Sequence, residues 1–148
     1  MRLHKTVPSA GARHSFETYL VINRVHDVKP GLYRYLSLDH KLLFISSEED
    51  LDEKIAFACR NQRFLKDAAV VFIWTTITYR MEWRYHIISN KLIAIDAGHM
   101  CQNLYLASES ISAGTCSIGA YDQDNVDAIL GVDGVEELTI YVAPVGKI

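Results

Sequence analysis

The segment Ala69–Ile77, AVVFIWTTI, constrains the chain more than any other stretch. It is apolar and β-branched throughout, and this pattern predicts a central strand buried on both faces. Length excludes a membrane helix, because the longest wholly apolar run, Ala68–Trp74, is far below the ~20 residues that a span requires. Such a strand needs neighbours beside it and helices over it.

Both are present in the sequence. Tyr19–Asn23, YLVIN, is compact and β-rich and reads as a strand. Lys29-Pro30-Gly31 is a turn, since proline presets φ and glycine tolerates positive φ. Leu32–Leu36 and Leu42–Ile45 are joined by the short polar link Ser37–His40, which predicts an antiparallel pair. Ser46 and Glu49 have the Ser-x-x-Glu spacing of a capping box. Leu51, Ile55, Ala58, Gln62 and Leu65 then recur as one helical face.

Tyr79–Lys91 is aromatic and basic without a clean period and is assigned to no element. Leu92–Ile111 is expected to be the longest helix. Ile93, Ala97, Met100, Leu104 and Ile111 lie near one stripe, and small Ala94, Gly98, Cys101 and Ala107 permit close approach of a partner. A short helix is expected from about Asn125 to Leu130, with Asp122 as N-cap and Gly131 just past its end. Leu138–Val142 alternates as the last strand, closed by Pro144 and Gly146. A meander followed by mixed elements favours an α+β fold over a doubly wound one. No repeat or linker divides the chain, so residues 1–148 are expected to form a single domain.

Composition narrows the function classes. At 49% hydrophobic and 22% charged, the 148 residues are ordinary globular material. A net charge of -3 argues against a broad electrostatic grip on nucleic acid or anionic lipid, though not against a local basic site. The opening MRLHKTVPSAGARH lacks the apolar stretch of a secretory signal, and a cytoplasmic protein is expected. Cys59, Cys101 and Cys116 show no paired spacing, so reduced thiols and no metal site are expected.

Several motifs fail on inspection. Gly114–Gly119 has the glycine spacing of a phosphate loop, but Ala120-Tyr121 stands where lysine and a hydroxyl residue are required. A nucleophile elbow around Ser117 lacks glycine at Thr115, and no Gly-x-Gly-x-x-Gly occurs. His4, His14, His26, His40, His86 and His99 do not pair with carboxylates at metal-ligand spacing. Asp96, His99 and Asn103 form a polar stripe on the long helix. Periodicity favours a helix–helix hydrogen-bond network there over the wall of a site.

A more specific reading comes from motifs in order along the chain: Val7–His14 followed by Phe16–Tyr19, then Pro30–Tyr35, Asp96–His99 with Gln102–Leu104, Cys116–Asp122, and Tyr141–Lys147. Together these resemble the SagB-type subgroup of the nitroreductase family. The resemblance implies an α+β fold, a mainly antiparallel sheet flanked by helices. It also implies an FMN-dependent oxidoreductase working as a homodimer with the flavin at the interface. A hydride would pass from a reduced nicotinamide such as NAD(P)H, or another donor, to a nitro, quinone-like or heterocyclic acceptor.

Residue by residue, the resemblance implies that Pro8, Ser9, Ala10, Gly11 and Ala12 form the loop against the flavin ring, supplied across the dimer. Small residues suit that task because backbone must come close to a flat ring. Ile118, Gly119 and Ala120 resemble the loop whose backbone N–H addresses flavin N5. Asn61 or Gln62 matches the amide that reads the pyrimidine edge, and Lys147 stands where relatives place a basic residue near the phosphate. Arg84-Tyr85 falls where azoline-oxidising members carry Lys-Tyr. Arginine cannot act as a base near neutrality, which leaves Tyr85 as the candidate catalytic proton carrier.

Family members also begin with an Arg-Arg-Ser-x-Arg-type segment, and this chain is expected to be N-terminally shortened relative to them. Losing two charged hydrogen bonds there would weaken flavin binding by about 3–6 kcal/mol. The alternative expectation is therefore a non-catalytic dimeric binding module that retains the fold, or else a gene fragment.

Overall fold

The computed structural model describes residues 5–147, and His4 lies outside them. β1 (Phe16–Ile22), β2 (Gly31–Leu36) and β3 (Lys41–Ser46) form the expected meander. β4 (Val70–Ile77) pairs antiparallel with β1 on one side and with β6 (Glu137–Lys147) on the other. A short β5 (Ala113–Thr115) completes one antiparallel sheet in the order β3-β2-β1-β4-β6-β5. The apolar run thus occupies the interior position its composition requires. Its side chains alternate between two layers, Val71 and Ile73 on one face and Phe72 and Trp74 on the other.

The first face is covered by α1 (Leu51–Ala58) and α4 (Gln123–Leu130). Ile55, Val126, Val142 and Val71 pack there without solvent exposure. Each such side chain contributes about 1.5–3 kcal/mol by leaving water. The second face is covered by α3 (Ser89–Glu109), whose Cys101, Met100 and Leu104 lie on Trp74 and Ala143. The segment left unassigned by periodicity is α2 (Tyr79–Tyr85) followed by a 3-10 turn, His86–Ile88. The fold is the α+β arrangement that the sequence implied.

Four local expectations are corrected. Ser46 and Glu49 form no capping box: Ser46 pairs with Leu32 as the last residue of β3, and α1 starts at Leu51 behind Asp50, whose φ is 57° and whose side chain caps nothing. The helix also stops at Ala58 instead of reaching Leu65, because Arg60 and Asn61 take positive φ. The last strand is not closed by Pro144 but runs through it to Lys147. Val145 accepts the Ala69 N–H from the β4 side, so the neighbouring Pro144 turns the other way, where β5 has ended and Thr115 Oγ1 donates to its carbonyl at 2.8 Å. A missing N–H costs nothing at that register. Ile111 lies beyond α3 and is exposed rather than on its packed stripe. The helix ends at α4 follow expectation, with Asp122 accepting the Asn125 N–H and Gly131 at φ 72°.

Candidate functional site

The structure gathers the family-derived residues into two groups. The first begins with the Pro8–Ala12 segment, a tight turn closed by Ala12 N–H to Ser9 C=O at 2.9 Å. Ser9 Oγ accepts the His14 N–H at 3.0 Å, and Gly11 takes φ +56°. The turn is tied to α3 by one side chain. The Ala10 N–H donates to both carboxylate oxygens of Asp96, at 2.9 and 3.2 Å, and Asp96 is buried. Asp96 therefore anchors a loop, and the expected hydrogen-bond network between helices does not form: His99 and Asn103 are exposed.

Tyr85 completes this group from α2. A Cβ built on Gly11 would lie 2.4 Å from the Tyr85 hydroxyl and 3.3 Å from Arg84 Nε, so a larger residue there would displace the Tyr85 side chain. Beside them opens a cleft of about 780 Å³, at the end of the sheet where β1 begins and β4 passes into α2. Glu17 bridges two elements at its edge, accepting from Arg80 of α2 at 2.8 Å and from Arg34 of β2 at 3.0 Å. Sequence reasoning passed over Glu17, Arg13 and Arg80. The Arg80/Arg84 spacing of four was the one available signal, hidden because α2 is too short to show a period.

The second group is the Ile118–Ala120 loop. Ile118 makes a two-way backbone bridge with Val142, at 2.7 and 3.2 Å, and the Asp122 N–H donates to Ala58 C=O at 2.7 Å. Between these fixed points Gly119 and Ala120 are exposed, and among the described residues neither N–H has an acceptor. A Cβ on Gly119 would meet nothing within 4 Å. Gln62 Nε2 donates to Cys59 C=O at 2.9 Å and reaches Ala120 C=O at 3.5 Å, so it belongs to this group. Asn61 borders a different hollow with Glu53, Lys54 and Lys66. Lys147 is exposed at the end of β6, opposite Ala113. No residue of the second group lines the cleft beside Gly11.

Of the three free thiols Cys116 is exposed, while the other two are unsuited to nucleophilic chemistry. Cys59 and Cys101 are buried, and burial pushes both thiols up, Cys59 to about 11, away from the reactive thiolate. Among the described residues no group of His, Cys, Asp and Glu could hold a metal ion, and no helix is long and apolar enough to cross a membrane.

A sequence model described as the Nitroreductase family matches residues 1–147. The chain belongs to the nitroreductase family. A nitroreductase-type protein of Methanocaldococcus jannaschii, MJ1384, is 32% identical over 143 residues, covering 97% of this chain and 70% of that protein. The trifolitoxin-processing protein TfxB of Rhizobium leguminosarum bv. trifolii is 28% identical over 137 residues, covering 88% of this chain but 36% of that protein. Among solved structures, a nitroreductase-type protein from Anabaena variabilis superposes with a TM-score of 0.88 at 29% identity, over 95% of this chain and 29% of its own. The NADPH:FMN oxidoreductase of Vibrio harveyi, solved with NAD+, shares the nitroreductase fold with a TM-score of 0.67 at 17% identity, over 96% and 54%.

Proposed function

We propose that the chain is an FMN-dependent oxidoreductase of the SagB-type subgroup, a homodimer in which the two groups of residues meet across the subunit interface. The observation that carries this reading is the pair of unclaimed N–H groups at Gly119 and Ala120, on a loop pinned at both ends and open on one side. Such a loop offers fixed donors to a flat ring at no side-chain cost, as a flavin site requires. Family membership, the match to TfxB and the shared fold with an NADPH:FMN oxidoreductase support the cofactor and the subgroup.

In this reading the Ile118–Ala120 loop would address flavin N5 through the N–H groups of Gly119 and Ala120, since that of Ile118 is taken by Val142. Gln62, rather than Asn61, contacts the pyrimidine edge, since only Gln62 stands by Ala120. Lys147 meets the phosphate. The Pro8–Ala12 turn arrives from the partner, held flat by Asp96 and by Tyr85 over Gly11. Bound FMN would supply two-electron chemistry, accepting a hydride equivalent from NAD(P)H or another donor and passing it to a nitro, quinone-like or heterocyclic acceptor. Tyr85 would hold or deliver the accompanying proton through its hydroxyl. The outward side of α2, the 3-10 turn and α3 supports the dimer: Trp83, Ile88, Ile95 and Leu106 are all at least two-fifths exposed, and a Cβ on Gly98 of α3 would meet nothing within 4 Å.

The test is the visible spectrum of the purified protein, followed by titration with FMN while the melting temperature is followed. A flavin spectrum or a concentration-dependent rise in melting temperature is expected. A colourless protein with no shift well above micromolar FMN would overturn the enzyme reading in favour of a dimeric binding module.

A further inference from the structure

The cleft beside Gly11 has a charge balance opposite to that of the whole chain. Lys5, Arg13, Arg80 and Arg84 line it against Glu17 and Asp39, in a protein whose net charge is -3. Glu17 is divided between Arg80 and Arg34, so its single negative charge offsets two guanidiniums. Arg13 lies over the Trp83 ring at 4.9 Å, with its Nε donating to Gly11 C=O, and Arg84 lies against the Tyr85 ring at 5.6 Å. Among the described residues neither Arg13 nor Arg84 is paired with a carboxylate. Two guanidiniums that line the cleft thus lie against aromatic rings and have no carboxylate partner among the described residues. A cleft with low-dielectric walls concentrates that field on whatever enters it.

We propose that this cleft binds the oxyanion of a small aromatic acid, with Arg84 as its main partner and Arg13 as the second, so that the substrate of the flavin site is an anion. The inference rests on the flavin reading above and deepens it. A guanidinium is charged at every working pH and offers a planar fork that a carboxylate fills with two parallel hydrogen bonds. The same permanent charge that disqualifies Arg84 as a base qualifies it as an anchor. Tyr35, which also lines the cleft, adds ring surface for an aromatic body. A flavin phosphate carries similar chemistry, and the experiment separates the two sources.

Benzoate is titrated calorimetrically into the purified protein as it is isolated, beside its uncharged isostere benzamide, and FMN and riboflavin are titrated in parallel. The expected result is benzoate binding at least about tenfold tighter than benzamide and weakening with added sodium chloride. Arg84→Gln is expected to weaken benzoate about tenfold and leave benzamide, FMN and riboflavin unchanged, while Arg84→Lys restores part of the loss as a point charge without the fork. Equal binding of benzoate and benzamide, or no binding of either at millimolar concentration, overturns the proposal. So does an Arg84→Gln variant that binds benzoate normally, or one that loses FMN but keeps riboflavin, which would assign the cleft to the cofactor phosphate. Wild-type protein that binds neither flavin yet discriminates benzoate from benzamide retains the anion site and sinks the oxidoreductase reading alone.

Discussion

Asp96 and Asp127 are buried to the same 4% exposure and are satisfied in very different ways. Asp127, on α4, accepts the Thr139 N–H at 2.8 Å and the Thr139 hydroxyl at 2.6 Å on one oxygen, and the Gln123 amide at 2.7 Å on the other. Asp96, on α3, has one donor among the described residues, the Ala10 N–H, which both of its oxygens share. Neither carboxylate has a cation beside it among the described residues. Asp127 locks a helix to a strand, and its lone pairs are well used. Asp96 holds a loop of the proposed site by a single contact. The first is architecture, and the second is a tether at which position can be traded against stability.

Asp127→Ala should produce the largest effect. It strands the Thr139 N–H and hydroxyl in the core and leaves the half-buried Gln123 amide only its bond to Thr139 C=O at 3.1 Å, and the expected loss is about 3–5 kcal/mol by denaturant titration. FMN affinity per folded molecule should stay constant, because none of these groups lies in the proposed site. A loss below 1 kcal/mol would show that water or a shifted strand replaces the carboxylate.

Asp96→Ala should cost less, about 1–3 kcal/mol, since one backbone donor is orphaned. Its characteristic consequence is local. Amide exchange at Ala10 should accelerate, and FMN should bind about tenfold or more weakly while the rest of the molecule keeps its protection. Asp96→Asn, which retains a neutral acceptor, should fall between wild type and alanine. Undisturbed Ala10 exchange in Asp96→Ala would show that Ser9 and the turn's own hydrogen bonds hold the loop without the tether.

Gly11→Ala tests the same loop from its other side. The left-handed φ costs roughly 1–2 kcal/mol for a residue with a Cβ, and the added atom meets the Tyr85 hydroxyl at 2.4 Å. Tyr85→Phe removes that oxygen, so the double variant should be more stable than the sum of the singles requires. Strict additivity would mean that the two side chains do not share the space the structure assigns them.

These contrasts bear on what could be read from the residues alone. β4 was legible because a continuous apolar run has one stable place in a sheet, and α4 because Asp122 and Gly131 mark its ends. α2 was not, since seven residues with only Met81 buried carry no period. The capping box at Ser46 misled because strand pairing with Leu32 claims that residue first. Asp96 was visible as part of a polar stripe, but its partner lies 86 residues away, and no spacing rule spans that distance. The family motifs named the loop at Pro8–Ala12 and the loop at Ile118–Ala120. In the fold one is tethered by a side chain, Asp96, and the other by backbone.

Alkaline pH should separate the two regions with the smallest perturbation. Tyr121 donates its hydroxyl to Thr139 C=O at 3.1 Å, and burial, reinforced by the nearby Asp127, pushes it up to about 12. Tyr19 is pushed up to about 12 as well, by burial and then by Glu137, whose carboxylate accepts its hydroxyl. A phenol raised in the fold stabilises it fully below the unfolded value near 10, and that contribution disappears as pH climbs from about 10 towards 12. Stability should therefore stay level to about pH 10 and then fall. Tyr121→Phe should flatten part of that fall by removing one of the two groups. Exchange should rise first where α4 meets β6, and Ala10 should follow only with global unfolding. An Ala10 amide that opens first at high pH would reverse the ranking, making the Asp96 tether the weaker of the two against base as well as against substitution.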